Sequence, residues 1–124
     1  DGVGNTLTTA LNLGILNSSG SFSDAVGSSD SNDYYQFNLT SQGTVTLGLS
    51  ELTADANLQL FNSGGTLLQT SNLSGSSSES LSRTLDAGTY YIRVYQGSGD
   101  TSYRLTATNG AGTLPTVSVT VTDS

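Results

Sequence analysis

The stretch Ser28-Ser29-Asp30-Ser31-Asn32-Asp33 sets one oxygen-bearing side chain after another. Asp30 and Asp33 stand three apart, so a turn in this segment would bring both carboxylates to one point, with the Tyr34 carbonyl close by. That is a donor set for a hard cation: calcium takes roughly six to eight oxygens at about 2.3–2.6 Å, ideally with two or more carboxylates. A plainer reading stands beside it, in which the two aspartates only cap a turn through hydrogen bonds to their own backbone. Asp55, in Ala54-Asp55-Ala56-Asn57, is a second metal candidate with the same turn-forming alternative. The chain has no His and no Cys, which removes the usual zinc ligands. Neither an EF-hand loop nor an RTX-type calcium repeat occurs.

Other chemistries find little to work with. A serine nucleophile needs a base, and with no His or Lys the usual partners are missing. Two carboxylates alone can hydrolyse a glycoside, yet Glu51 and Glu79 sit at the ends of different predicted strands, with no signal pairing either to an aspartate. The expectation is a domain without enzymatic activity. A binding face is better supported. In Thr89 to Gln96, Tyr90, Ile92 and Val94 point one way while Tyr91, Arg93 and Tyr95 point the other. A Tyr-Arg-Tyr stripe offers flat stacking area and directional donors suited to a polysaccharide or a protein fibre. The alternative is ordinary cross-strand packing with Arg93 in a surface ion pair.

These residues need a scaffold, and the pattern predicts one made of strands. Asn5 to Leu13 has apolar residues at helix-like spacing, but Gly14 cuts it short, so one helical turn or an irregular segment is expected. Short strands then follow at Ser21–Val26, Asp33–Thr40, from Gly43 through Leu49, Leu58–Phe61, Thr66–Thr70, Glu79–Leu85, Thr89–Gln96 and Thr101–Thr108. Turn clusters such as Asn62-Ser63-Gly64-Gly65 and Asp86-Ala87-Gly88 separate them. This predicts an all-β fold, an antiparallel β-sandwich or jelly roll of about seven or eight strands. The alternation places Phe22, Tyr35, Phe37, Leu39, Val45, Leu47, Leu49, Leu58, Leu60, Leu81, Leu85, Tyr90, Ile92, Val94, Tyr103 and Leu105 inside. Arg83 shares the inward parity of Leu81 and Leu85, a conflict that a bulge or a paired carboxylate would resolve. One domain over 1–109 is expected. The Leu114-Pro115 and alternating-valine stretch in 110–124 reads as a linker or the start of a following domain.

Composition narrows the partners. The net charge is −7, with Arg83, Arg93 and Arg104 the only basic side chains among 124 residues. Nucleic acid is disfavoured because phosphate neutralisation needs clustered Lys or Arg, and an anionic membrane surface is disfavoured for the same reason. No apolar run of about 18 residues is present, so no membrane-spanning helix is expected. The Ser/Thr/Gly/Asn-rich, Lys-free character suggests a bacterial, secreted or cell-surface protein, and the chain reads as a mature fragment or excised domain.

The order of motifs is itself informative. Asp30-x-x-Asp33-Tyr34-Tyr35-x-Phe37 leads into Gly43-Thr44-Val45-Thr46-Leu47. Ala54-Asp55-Ala56-Asn57-Leu58-Gln59-Leu60, Gly88-Thr89-Tyr90-Tyr91-Ile92-Arg93-Val94-Tyr95 and Ser102-Tyr103-Arg104-Leu105 follow. Over roughly Asn5 to Asn109 this resembles the bacterial pre-peptidase C-terminal (PPC) domain family, in wording similar to cyanobacterial members. The resemblance implies a jelly-roll accessory module attached to the catalytic or surface domain of a secreted protein, aiding stability, secretion or substrate targeting. The collagen-binding domains of clostridial collagenases are similar, and they bind calcium between an N-terminal segment and a loop before a strand. Carried over by that likeness, Asp30 and Asp33 match the loop carboxylates and Asn5 the N-terminal ligand, with Ser28, Tyr34 and Asp1 as further oxygen donors. The same relatives use aromatic residues on the part of the sheet that holds Tyr91, Arg93 and Tyr95. This chain departs from them before Asn5: Gly2, Val3 and Gly4 stand where the relatives carry acidic residues, leaving only Asp1.

Overall fold

The computed structural model describes residues 4–16, 19–73 and 75–110. Among the described residues a short 3-10 turn, Leu7–Thr9, precedes nine strands: β1 Leu11–Ile15, β2 Ser19–Val26, β3 Asn32–Leu39, β4 Gly43–Ser50, β5 Asp55–Asn62, β6 Leu67–Ser71, β7 Glu79–Leu85, β8 Gly88–Ser98 and β9 Thr101–Asn109. They form two sheets, β1-β3-β8-β5-β6 and β2-β9-β4-β7. Every pairing is antiparallel except β1 with β3. The expected all-β sandwich is therefore what the chain forms, with one strand more than anticipated. The addition is β1, where the sequence pattern suggests a helical turn or irregular segment. The turn exists, but it lasts three residues before the chain extends along β3.

Alternation does the packing. Along β3 the burial runs half-buried and buried in strict turn, with Asp33, Tyr35, Phe37 and Leu39 inside. β8 answers with Tyr90, Ile92 and Val94, and β4 with Val45, Leu47 and Leu49, so the two inner faces meet in one apolar core. Phe37 and Tyr90 stack across the β3–β8 pair at 5.6 Å between ring centres. Nearly all residues expected inside are buried, while Phe22 packs against the core from a half-buried position. Such burial removes apolar surface from water at roughly 25 cal/mol per Å², the main force holding the two sheets together.

Arg83 resolves differently from either expectation. The β4–β7 register runs unbroken from Gly43↔Leu85 to Leu49↔Glu79, so there is no bulge. The side chain is exposed at the sheet edge, and its Nη1 donates to the Leu68 carbonyl at 3.1 Å rather than to a carboxylate. An edge strand lets a long side chain of inward parity reach round to the neighbouring sheet. The domain boundary expected after Asn109 falls at the end of the described residues, and 111–124 lie outside them.

Candidate cation site and aromatic face

At one end of the sandwich the β2–β3 loop, the segment before the 3-10 turn and the β8–β9 turn come together. Gly4 forms an isolated bridge to Tyr34, whose amide donates to the Gly4 carbonyl at 2.9 Å. That bridge sets Asn5 over the entrance to β3. Oriented with its nitrogen inward, the Asn5 amide donates to Asp30 Oδ1 at 2.7 Å and to the Asn32 carbonyl at 2.5 Å. The loop itself closes through paired main-chain hydrogen bonds between Gly27 and Asp30, at 2.9 and 3.1 Å.

Asp33 is the unusual member. Its position on β3 has inward parity, and it is fully buried, with 0% exposure. Its Oδ2 accepts a 2.6 Å hydrogen bond from the Tyr103 hydroxyl, which in turn lies 2.6 Å from the Tyr35 hydroxyl. Its Oδ1 has no hydrogen-bond partner among the described residues. Burial pushes the carboxyl up to about 7 from an ordinary 3.8; the Tyr103 hydrogen bond opposes this, while the Asp30 and Asp24 charges add to it. Burial likewise raises the Tyr35 phenol to about 12, and it raises Tyr103 well above the ordinary phenol range, helped by the bonds to Asp33 and Tyr35. A buried carboxylate oxygen left without a donor costs a desolvation penalty of about 1–3 kcal/mol or more.

The expected ligands thus fall into two groups. Asp30, Asn5 and the Tyr34 main chain are brought together, and Asp33 stands beside them with one oxygen unsatisfied. Ser28 is exposed, and its amide donates to Asp100 Oδ1 at 3.0 Å. Asp1 lies outside the described residues. Among the described residues no three acidic side chains gather closely enough to hold a metal on carboxylates alone. The donor set nevertheless suits a hard cation: two carboxylates, an amide that presents oxygen when turned over, and the Asn32 carbonyl. Asp55, the second candidate, is half-buried at the start of β5 and packs against Gly97, with the Asn57 amide nitrogen donating to its Oδ1 at 3.3 Å.

Tyr103 and Asp24 join this region without being expected there, and Asn32, expected only as part of the oxygen-rich stretch, links it to Arg93. The apolar body of Tyr103 places it in the core, and nothing in its local pattern reveals that the hydroxyl's partner lies 70 residues away. Asp24 does carry a signal, since it shares strand parity with inward Phe22 and Val26.

On the outer face of the first sheet, Arg93 is held from three sides. Its Nε donates to Asn32 Oδ1 at 2.7 Å, its Nη1 to Gln59 Oε1 at 2.9 Å, and its guanidinium lies 4.4 Å from the Tyr95 ring centre. The Tyr34 ring is 6.0 Å away and packs in turn against Phe61 at 6.4 Å. The expected face geometry is present, but Tyr91, Arg93 and Tyr95 are half-buried rather than exposed, because Tyr34, Gln59 and Phe61 pack beside them from the flanking strands. No surface ion pair is made by Arg93; among the described residues the one ion pair is Arg104–Glu51 at 3.7 Å. Asn32 joins the two regions, its carbonyl facing Asn5 and its side chain holding Arg93.

The chain is thus a two-sheet β-sandwich with a polar loop clasp at one end and an amide-and-aromatic outer face. The chain belongs to the bacterial pre-peptidase C-terminal domain family, whose profile matches residues 31–96. Among solved structures, the pre-peptidase C-terminal domain of a Bacillus anthracis collagenase superposes with a TM-score of 0.66 at 19% identity, over 78% of this chain and 92% of that one. The Aeromonas hydrophila periplasmic inhibitor of g-type lysozyme, PliG, gives 0.56 at 16% identity, over 80% and 96%. A Yersinia pseudotuberculosis mitogen gives 0.52 at 14% identity, over 73% and 84%. At these identities what is shared is the fold. No curated protein matches the sequence.

Proposed function

We propose that this chain is a non-catalytic accessory domain of a secreted or surface protein whose folded state is completed by calcium. The observation that carries the reading is the fully buried Asp33 carboxylate with one oxygen lacking any donor among the described residues, next to Asp30 and Asn5. Asp30, Asp33, Asn5 and the Asn32 and Tyr34 carbonyls would hold the ion, with water, Ser28 or Asp1 completing the set. The ion would supply positive charge where two carboxylates are pressed together and would tie the N-terminal segment to the β2–β3 loop. For Asn5 this means turning its amide over, exchanging two donated hydrogen bonds for an oxygen ligand. Affinity weaker than micromolar suits a module working in calcium-rich extracellular fluid. Family membership supports the accessory role.

Calorimetric titration of the full chain with calcium tests this. One site is expected, abolished in Asp30→Asn/Asp33→Asn. Absence of heat at millimolar calcium would leave Asp30 as the acceptor for Asn5 and Asp33 as the acceptor for Tyr103, with no ion between them.

A second reading rests on Arg93. It stands on a face of amides and aromatic rings, pre-ordered between Asn32, Gln59 and Tyr95. This supports a targeting role toward a polysaccharide or a fibrous protein, whose hydroxyl or carbonyl oxygens would meet the guanidinium while flat groups stack on the tyrosines.

A further inference from the structure

Beyond Asp30 and Asp33, the same end of the sandwich carries two more carboxylates. A cavity of about 220 Å³ opens there, lined by Asp24, Val26, Gly27, Ser29, Asp30 and Asp100 among others. Asp100 is committed to the loop: its Oδ1 accepts from the Ser28 amide, and the carboxylate sits where a side chain on Gly27 would go. Asp24 is different. It lies on β2, in the sheet opposite β3, and is in register with Tyr103, the residue whose hydroxyl holds Asp33. Its Oδ1 accepts only from the next amide, that of Ala25, at 2.8 Å. Its other oxygen makes no hydrogen bond among the described residues.

Asp24 and Asp30 thus line one cavity, and Asp24 stands in register with the tyrosine that holds Asp33. Nothing of opposite sign answers Asp24 among the described residues. Arg83 is bound to the Leu68 carbonyl, Arg93 lies on the outer face of the other sheet, and Arg104 pairs with Glu51. Like charges gathered in a partly buried cavity repel one another. Beside that cluster, the fully buried Asp33 Oδ1 has no hydrogen-bond partner among the described residues.

We infer that Asp24 is a third carboxylate of the cation site, acting through water from the opposite sheet to draw and hold a divalent ion that Asp30 and Asp33 ligate directly. This rests on the calcium reading above. Because Asp24 stands outside the direct ligands, it is consistent with the absence of any close acidic triplet among the described residues.

The consequence is a pair of effects of opposite sign. Removing the charge weakens calcium binding while relieving repulsion in the calcium-free protein. A residue that served packing alone would lower stability with and without calcium. The test is calcium calorimetry, with thermal unfolding in chelator, on the full chain and on Asp24→Asn, Asp24→Glu and Asp30→Asn. Asp24→Asn keeps an oxygen for the Ala25 amide. It should raise the calcium Kd roughly tenfold, as loss of an outer-shell partner commonly does, with an unfolding midpoint in chelator equal to or above that of the unmodified chain. Asp24→Glu, which keeps the charge, should retain most of the affinity. An unchanged Kd in Asp24→Asn overturns the role of Asp24 and leaves the calcium site standing, provided Asp30→Asn still abolishes binding. A midpoint in chelator lowered by Asp24→Asn would also overturn it, by making Asp24 structural. If the unmodified chain binds no calcium, both readings fall together.

Discussion

The Tyr103 hydroxyl, on one sheet, donates at 2.6 Å to Asp33 Oδ2 on the other, and so fixes which carboxylate oxygen is left open. A hydroxyl has one proton to give. Tyr103 gives its own to Asp33, so Tyr35, 2.6 Å away, donates to Tyr103. Tyr103→Phe strips Asp33 of its one donor and should cost about 1–3 kcal/mol. Tyr35→Phe leaves only a hydroxyl acceptor unpaired and should cost less, about 0.5–1.5 kcal/mol. Urea unfolding of the two variants in chelator checks the order, and equal costs would deny the chain its direction.

Asp33 also predicts how stability depends on pH. Its folded-state value near 7 lies above the ordinary 3.8, so between these values the folded state binds more protons than the unfolded chain. The contribution is therefore present in full below about 3.8 and is lost as pH rises through about 7. A shift of that size corresponds to about 4 kcal/mol as an upper bound. In chelator the protein should be more stable at pH 5 than at pH 8. With saturating calcium, which favours the ionised carboxylate, the trend should flatten or reverse. Urea midpoints at the two pH values, with and without calcium, provide the comparison. A chelator stability that rises with pH would contradict the assignment.

Gly27 has a specific reason to be glycine. A Cβ there would run into the Asp100 carboxylate that holds the Ser28 amide. Gly27→Ala should cost about 1–3 kcal/mol through overpacking. Adding Asp100→Ala should make the double variant less damaged than the sum of the singles, because the two share one contact. Strict additivity in a double-mutant cycle would show that they do not meet.

If the outer face is a targeting surface, Arg93→Gln should abolish retention on whichever of cellulose, chitin and collagen fibres holds the unmodified chain. It should cost no more than about 1 kcal/mol of stability, since Arg93 bonds only neutral amides and a ring. Retention equal to that of the unmodified chain on every polymer it binds would remove this face from consideration.

The fold is largely legible in the sequence because period-two alternation in β3, β4, β8 and β9 coincides with true burial. The turn residues also do what their types suggest: Asn62 Oδ1 caps the β5–β6 turn by accepting from the Gly64 and Thr66 amides, both at 3.0 Å. β1 is hidden because Leu7, Ala10 and Leu11 also satisfy a helical period, and only pairing with β3 decides between them. In the candidate site, Asp30, Asp33 and Asn5 are visible as oxygen donors in the right order. The depth of Asp33 is visible too, through its shared parity with Tyr35. The Tyr103 bond and the Asn32 link are not, because each depends on how separate strands and sheets face each other; the parity of Asp24 is visible, but not that it shares a cavity with Asp30. Half-burial of Tyr91 and Tyr95 comes from neighbours on β3 and β5 for the same reason.

The most direct test of calcium completing the fold is thermal unfolding of the chain in chelator and in millimolar calcium, alongside Asp30→Ala/Asp33→Ala. An ion that binds only the folded state, at a hundredfold its Kd, adds about 2.7 kcal/mol. For a domain of this size that corresponds to a rise in Tm of roughly 5–15 °C. Such a rise is predicted in the unmodified chain and none in the double variant. An unfolding midpoint indifferent to calcium in the unmodified chain would contradict a calcium-completed fold.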